Sequence, residues 1–185
     1  MNENINNLPE DEQLKVIKQD VTLIRYIKNP SEQIQLEAVK QDGNSIRFIK
    51  NPSKQIQLAA TRQYAYAVGH IKNPSKEAQL TAVKRCGNSI RDINNPSEPV
   101  QLAAVQQNGY AIEHIKNPPE QVQLAAVKKD GWAIYYIKTP FEKVQEYVIL
   151  NYPNLVINET DVSNKISPEL KQKYAHILSG EDLDI

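Results

Sequence analysis

Six prolines, Pro30, Pro52, Pro74, Pro96, Pro118 and Pro140, stand 22 residues apart with no insertion between any two. Each closes a variant of one tetrapeptide, IKNP, which reads INNP at residues 93–96 and IKTP at 137–140. A period of 22 is twice 11, the spacing of a right-handed apolar stripe on one long helix. Proline excludes that reading, because it lacks the N–H that a helix interior needs and drives the residue before it out of helical geometry. The chain must break and restart once per period, so its fold is built from short elements of equal length.

Numbering each repeat from its asparagine puts position 1 at Asn29, Asn51, Asn73, Asn95 and Asn117, with Thr139 in the last repeat and Asn7 one period before Asn29. Seven repeats then cover residues 7–158. Asn7 with Glu10, Asn29 with Glu32, Asn95 with Glu98 and Asn117 with Glu120 have the spacing of a capping box, although Lys54 and Lys76 depart from it. Proline follows as the first helical residue. Gly43, Gly87, Gly109 and Gly131 at position 15 suit a left-handed helix end. The spacing predicts a helix over positions 2–13.

On that helix the apolar positions 6, 8, 10 and 11 span an arc of roughly 200°. Position 7 falls inside the arc, yet it is glutamine in every repeat: Gln13, Gln35, Gln57, Gln79, Gln101, Gln123 and Gln145. An amide in a packed face must have its donors and acceptors satisfied. These seven are expected to form a structural ladder, bonded to one another or to the backbone of the adjacent repeat.

After the glycine, segments such as NSIRFIK and WAIYYIK carry small or apolar residues at positions 17, 18 and 21. They have room for about two turns of α or 3₁₀ helix. One longer helix plus one short helix cannot bury its own apolar face, so the repeats must stack, each adding about 8–10 Å. The expected fold is an all-α solenoid of seven 22-residue repeats. A leucine-rich repeat has a similar period, but its L-x-x-L-x-L-x-x-N strand pattern is absent.

The last repeat breaks the pattern with Glu146 in place of leucine and Pro153 in place of glycine. Ser167 and Pro168 then open a final helix with Leu170, Tyr174, Ile177 and Leu178 on one face, stopped by Gly180. This capping helix is expected to cover the last repeat's core. The organisation read from the sequence is a lead-in over 1–6, the solenoid over 7–158, and a cap helix with an acidic tail over 159–185.

Repeats such as NPSEPVQLAAVQQNGYAIEHIK and NPPEQVQLAAVKKDGWAIYYIK resemble the tandem helical repeats of unknown function found in phage, bacterial and giant-virus proteins, and are more distantly similar to leucine-rich-variant solenoids. The resemblance covers about 150 of the 185 residues. It implies a right-handed α-solenoid used for binding and transfers no catalytic residues. A phage origin would imply a modulator of a host protein, such as an inhibitor of antiviral defence.

Composition narrows the function classes. Lys plus Arg equals Asp plus Glu at 22 each, which argues against a strongly basic nucleic-acid binder and against an acidic mimic. Residues 21–158 nevertheless hold 17 basic and 11 acidic side chains, so the body is mildly basic and the ends are acidic. Cys86 is the sole cysteine, which excludes an intramolecular disulfide and points to a reducing compartment. No apolar run approaches the roughly 18 residues of a membrane span, and the start MNENINNLPEDEQ lacks the features of a signal peptide. A soluble, cytoplasmic protein is expected, with no membrane partner.

Recurrent positions serve the stack, so function is sought where residues vary and face solvent. Positions 5, 9, 12 and 13 of the longer helix hold mostly Gln, Lys, Arg and Ala, a solvated wall. Positions 16, 19 and 20 of the short segment change chemistry from repeat to repeat. They supply Arg25, Tyr26, Arg47, Phe48, Tyr66, His70, Arg91, Tyr110, His114, Trp132, Tyr135 and Tyr136, alongside Thr22, Asn44, Gly69, Asn88, Asp92 and Glu113. Aromatic residues with arginine are what interface hot spots favour, and the shorter layer of a solenoid usually lines its concave side. The first twelve are the candidate partner-binding residues, with a protein as partner. The same rings also suit simple packing along neighbouring repeats.

Nucleic acid is the alternative partner. Lys28, Lys50, Lys72, Lys116 and Lys138 form one column at position 22, and Lys18, Lys40, Arg62, Lys84 and Lys128 form another at position 12. Helix dipoles explain cations there; a phosphate backbone would also be attracted to them. His and aromatic residues alternating along the repeats suit RNA, which helical repeats can read one base at a time. Catalytic, cofactor and metal sites find no support. His70 and His114 are two repeats apart, His176 lies in the cap, and Cys86 fills a slot that Asp42, Tyr64, Asn108 and Asp130 fill elsewhere. Glu181 and Asp182 fall in the expected tail, and no glycine-rich phosphate loop, HExxH or CxxC is present. A non-enzymatic role is expected.

Overall fold

The computed structural model describes residues 5–179, which are helix and turn with no strand among them. Gly180, expected to stop the last helix, and the acidic tail after it lie outside the described residues. The protein is an all-α solenoid of helix–turn repeats. By internal packing it divides into two compact units, Met1–Asn95 and Pro96–Ile185. The division falls at the INNP corner, where the fifth repeat begins.

In the first unit the long helices are α1 (Glu10–Gln19), α2 (Glu32–Gln41), α3 (Lys54–Gln63) and α4 (Lys76–Arg85). They are followed in turn by 3₁₀ helices at Val21–Tyr26, Gly43–Phe48, Ala65–His70 and Gly87–Asp92. The second unit repeats the scheme with α5 (Glu98–Gln107), Gly109–His114, α6 (Glu120–Lys129), Gly131–Tyr136 and α7 (Glu142–Asn151). Within each unit long helix packs on long helix in chain order, and short helix on short helix. The two layers enclose a core of Ile, Val and Ala from positions 6, 10, 11, 18 and 21, such as Ile56, Ala60, Val39, Ile46 and Ile49 in the first unit.

The long helix starts two residues later than expected, at position 4 in all seven repeats. The asparagine is the corner residue rather than the cap: Asn51, Asn95 and Asn117 have φ of 50°, 49° and 49°. Asparagine is among the few non-glycine residues that enter this left-handed region readily. The serine at position 3 is the N-cap, with Oγ of Ser31, Ser53 and Ser75 accepting the N–H three residues on at 3.4, 3.4 and 3.2 Å. The glutamate then bonds to a neighbouring repeat instead of closing a capping box. Ser53 Oγ donates to Glu32 Oε1 at 2.7 Å, and Ser31 donates likewise to Glu10.

The position-15 glycines also serve a different purpose from a left-handed cap. Gly43, Gly109 and Gly131 do not have a left-handed φ; a Cβ on Gly43 would lie 2.6 Å from the Ala60 carbonyl oxygen, and one on Gly131 2.7 Å from the Tyr152 ring. Glycine is required there because the next repeat's long helix passes over the backbone. Position 14 caps the 3₁₀ helix: the side chains of Asp20, Asp42, Asn108 and Asp130 accept the N–H two residues on at 2.9–3.1 Å.

Each ladder glutamine bonds to main chain. Nε2 of Gln13, Gln35, Gln57, Gln79, Gln101, Gln123 and Gln145 donates to the position-2 carbonyl of its own repeat at 2.8–3.1 Å. Oε1 of Gln57 and Gln123 accepts the position-3 N–H of the following repeat, from Ser75 at 2.8 Å and Phe141 at 3.2 Å. The amide thus stitches one corner to the next. Gln101 Oε1 is buried without a partner, because position 3 of the following repeat is Pro119, which has no N–H.

Both ends are closed by variations on these contacts. Ile5 is buried among Ile17, Ile24, Ile27 and Ile34, while Asn6 bonds to the Tyr26 carbonyl and the Lys28 N–H, both at 2.8 Å. At the other end α8 (Pro153–Asn158) replaces the 3₁₀ helix of the seventh repeat, followed by α9 (Thr160–Ser163). The expected cap helix is two helices, α10 (Pro168–Lys173) and α11 (Ala175–Leu178), broken at Tyr174 with φ −110° and ψ 25°. Ser167 acts as a further corner serine: its N–H reaches Gln145 Oε1 at 2.7 Å and its Oγ caps Leu170. Glu146, the residue in leucine's place, accepts Lys173 Nζ at 2.8 Å and the Tyr174 hydroxyl. Leu170 is buried; Tyr174, Ile177 and Leu178 are half-buried.

Candidate functional site

The 3₁₀ helix determines how the variable residues are presented. With three residues per turn, positions 15, 18 and 21 eclipse on one side and positions 16 and 19 on another. Glycine or a small residue and two isoleucines recur at 15, 18 and 21, so the first side is buried and the second faces out. Six-residue 3₁₀ runs are long for this geometry, and they persist here because their buried stripe has the same three-residue spacing.

In the first unit the rings of this face are occupied by the chain's own arginines. The Arg25 guanidinium lies 5.5 Å from the Tyr26 ring and 5.7 Å from Phe48 of the next repeat. Arg47 sits 4.7 Å over Phe48, and Arg91 4.7 Å over Tyr66. Arg25, Arg47, Tyr26, Arg91 and His70 are exposed, whereas Phe48 and Tyr66 are half-buried. The Tyr66 hydroxyl and the Cys86 thiol share a hydrogen bond, with Sγ 3.3 Å from the hydroxyl oxygen. That bond, then burial, hold the hydroxyl above its ordinary tyrosine pKa.

The second unit presents bare rings. Tyr110, Trp132, Tyr135 and Tyr136 surround one shallow depression of about 400 Å³ and are 37%, 47%, 50% and 39% exposed. Tyr136 meets Tyr110 edge-on at 5.8 Å and 86°, and Tyr135 at 5.5 Å and 77°. Asp130 ties two of these residues together: it accepts the Trp132 main-chain N–H at 2.9 Å and bonds to the Tyr110 hydroxyl, raising that hydroxyl's pKa. Beside it, Tyr136 also borders a groove of about 550 Å³ with Glu113, Lys116, Lys138 and Phe141. His114 is half-buried and does not line either depression.

Two exposed rings, one in each unit, were not among the candidate residues read from the sequence. Phe141, 46% exposed, stands at position 3 where serine is usual, and Tyr64 stands at position 14 where Asp or Asn is usual, 5.6 Å from Tyr66. In both cases a ring replaces a capping residue, and that exchange is the sequence signal that would have found them.

The lysine columns divide by location. Lys18, Lys40, Arg62, Lys84 and Lys128 lie in the last turns of their helices. Lys28 and Lys50 line a groove of about 560 Å³ with Arg25, Pro30 and Phe48. Among the described residues no three His, Cys, Asp or Glu side chains gather closely enough to hold a metal ion, and no helix is long and apolar enough to cross a membrane. No protein-family model matches the chain, and comparison with curated proteins and with solved structures finds no match either.

Proposed function

We propose that the chain is a non-enzymatic binding scaffold that recognises a protein partner through the outer face of its 3₁₀ helices, centred on Tyr110, Trp132, Tyr135 and Tyr136. The observation that carries this reading is the exposure of four adjoining rings around one depression. Contiguous apolar surface of this kind is uncommon on proteins without a partner, and Trp and Tyr dominate interface hot spots. In this reading Phe141, which borders the groove beside Tyr136, extends the contact within the second unit. The resemblance to phage repeats makes a host protein, of an antiviral defence system for example, the class of partner to search, in a cytoplasmic setting.

The test is a pull-down with the tagged chain before and after nuclease treatment, beside the triple variant Tyr110→Ala, Trp132→Ala, Tyr136→Ala with its helical circular dichroism verified. One protein retained through nuclease and lost with the folded triple variant is the expected result. Retention by the variant would sink the assignment of this face. The groove with Arg25, Lys28 and Lys50 favours a second reading, nucleic-acid binding. It requires nuclease-sensitive capture and an affinity that falls steeply with salt.

A further inference from the structure

The two units treat the same ring positions in opposite ways. Where position 19 is arginine, as in Arg25, Arg47 and Arg91, each guanidinium lies 4.7–5.7 Å from the centre of a ring of this face. In the fifth and sixth repeats position 19 is Glu113 and Tyr135. Among the described residues no Lys or Arg lies over Tyr110, Trp132, Tyr135 or Tyr136, the richest ring cluster in the chain. Aromatic faces attract cations through their quadrupole, most strongly for Trp and when partly desolvated. Near-perpendicular rings, as Tyr136 makes with both Tyr110 and Tyr135, offer faces to one guest from more than one direction. The charge tied to the cluster is the Asp130 carboxylate, and Glu113 borders the adjoining groove at Tyr136. Lys116 and Lys138 line that groove and not the ring depression.

We propose that this depression receives one arginine side chain of the protein partner, its guanidinium lying against the four rings as the chain's own arginines lie against theirs in the first unit. This rests on the protein-binding reading of the face and adds the chemistry of the residue recognised. Arginine suits the site better than lysine because its planar guanidinium stacks on aromatic faces and is more weakly hydrated.

Trp132 is the only tryptophan of the chain, so its fluorescence reports on the site directly. The full chain is titrated with N-acetyl-arginine amide, and separately with N-acetyl-citrulline amide, which has nearly the same shape without the charge. The expected result is a saturable change with arginine, tighter than with citrulline by roughly two- to fivefold, as befits one cation–π contact at a partly exposed site. Tyr135→Leu keeps apolar bulk and should lower that ratio, because it removes one of the rings whose quadrupole selects the cation. Equal binding of the two probes, or no saturable response to either, overturns the inference, as does tighter binding of adenosine monophosphate than of arginine. The two failures are distinguishable. Loss of the protein partner by the triple alanine variant with no arginine response sinks only the cation chemistry. An arginine response in a chain whose triple variant keeps its partner leaves a cation-binding depression but sinks the protein-binding reading of the face, and with it the partner's arginine.

Discussion

Gln101 differs from the other ladder glutamines through a residue in the next repeat. Its Nε2 bonds to the Pro96 carbonyl at 2.9 Å as the others do, but its Oε1 is buried and unpaired because Pro119 cannot donate. A buried acceptor without a donor costs about 1–3 kcal/mol, and a missing serine cap costs about 1 kcal/mol more. Replacing proline also frees the unfolded chain, which returns about 0.4–1 kcal/mol to the unfolded state. Pro119→Ser is therefore expected to raise stability by about 1–3.5 kcal/mol in denaturant unfolding, the net of those opposing effects. In the background Gln101→Leu the gain should shrink to the cap less the proline's entropic advantage, about 0–0.6 kcal/mol. An unchanged or lower midpoint for Pro119→Ser would show that the orphaned oxygen is already satisfied. The recurrence of glutamine was visible in the sequence; its bonding was not, since it depends on how far the next corner is displaced in space.

At the scale of elements, the period was legible and its phase was not. N-P-S-E contains two residues able to cap a helix; Ser31, Ser53 and Ser75 take the cap, while Asn51, Asn95 and Asn117 turn the corner with a left-handed φ. The short helix had two legible features, its length and its buried stripe, and both fit 3₁₀ geometry; α8 takes the same positions as α-helix under a proline start. Outward positions 16, 19 and 20 could be read, and so could the neighbouring pairs Arg25–Tyr26 and Arg47–Phe48, but the pairs that cross repeats, Arg25 with Phe48 and Arg91 with Tyr66, do not follow from spacing alone. The cap offers a pH test of such a contact between elements. The Lys173 ammonium, then the Tyr174 hydroxyl, hold the Glu146 carboxyl below its usual pKa, and Glu146, then Tyr174, raise the pKa of Lys173. A carboxylate with a lowered folded pKa contributes stability above its unfolded value, about 4.3, and loses it as pH falls through the folded value. The lysine's contribution is present at neutral pH and lost only at strongly alkaline pH. The wild type should therefore lose more melting temperature between pH 7 and pH 3 than Glu146→Gln does. Equal acid losses would mean that the Glu146 contacts to Lys173 and Tyr174 do not hold the cap.

At the scale of the molecule, a repeat protein stabilises itself through each repeat and its interface with the next. The third repeat, residues 51–72, shows what that implies, since removing it joins Lys50 to Asn73 and recreates an IKNP corner. In the first unit Gln35 would then face the Ser75 corner that Gln57 now holds, and the core positions would again meet Ile, Val and Ala. The shortened chain is expected to stay folded and to melt cooperatively, with a denaturant slope lower by about one seventh, because that slope follows the surface exposed on unfolding. Removing residues 51–61, half a period, places a helix where a 3₁₀ segment must pack and should abolish the cooperative transition. If both deletions unfolded the protein, specific contacts of the third repeat would outweigh the periodic ones. If the half-period deletion folded as well as the full one, the corner would not be what sets the register. The proline spacing therefore has a mechanical consequence: only whole periods can be lost without losing the stack.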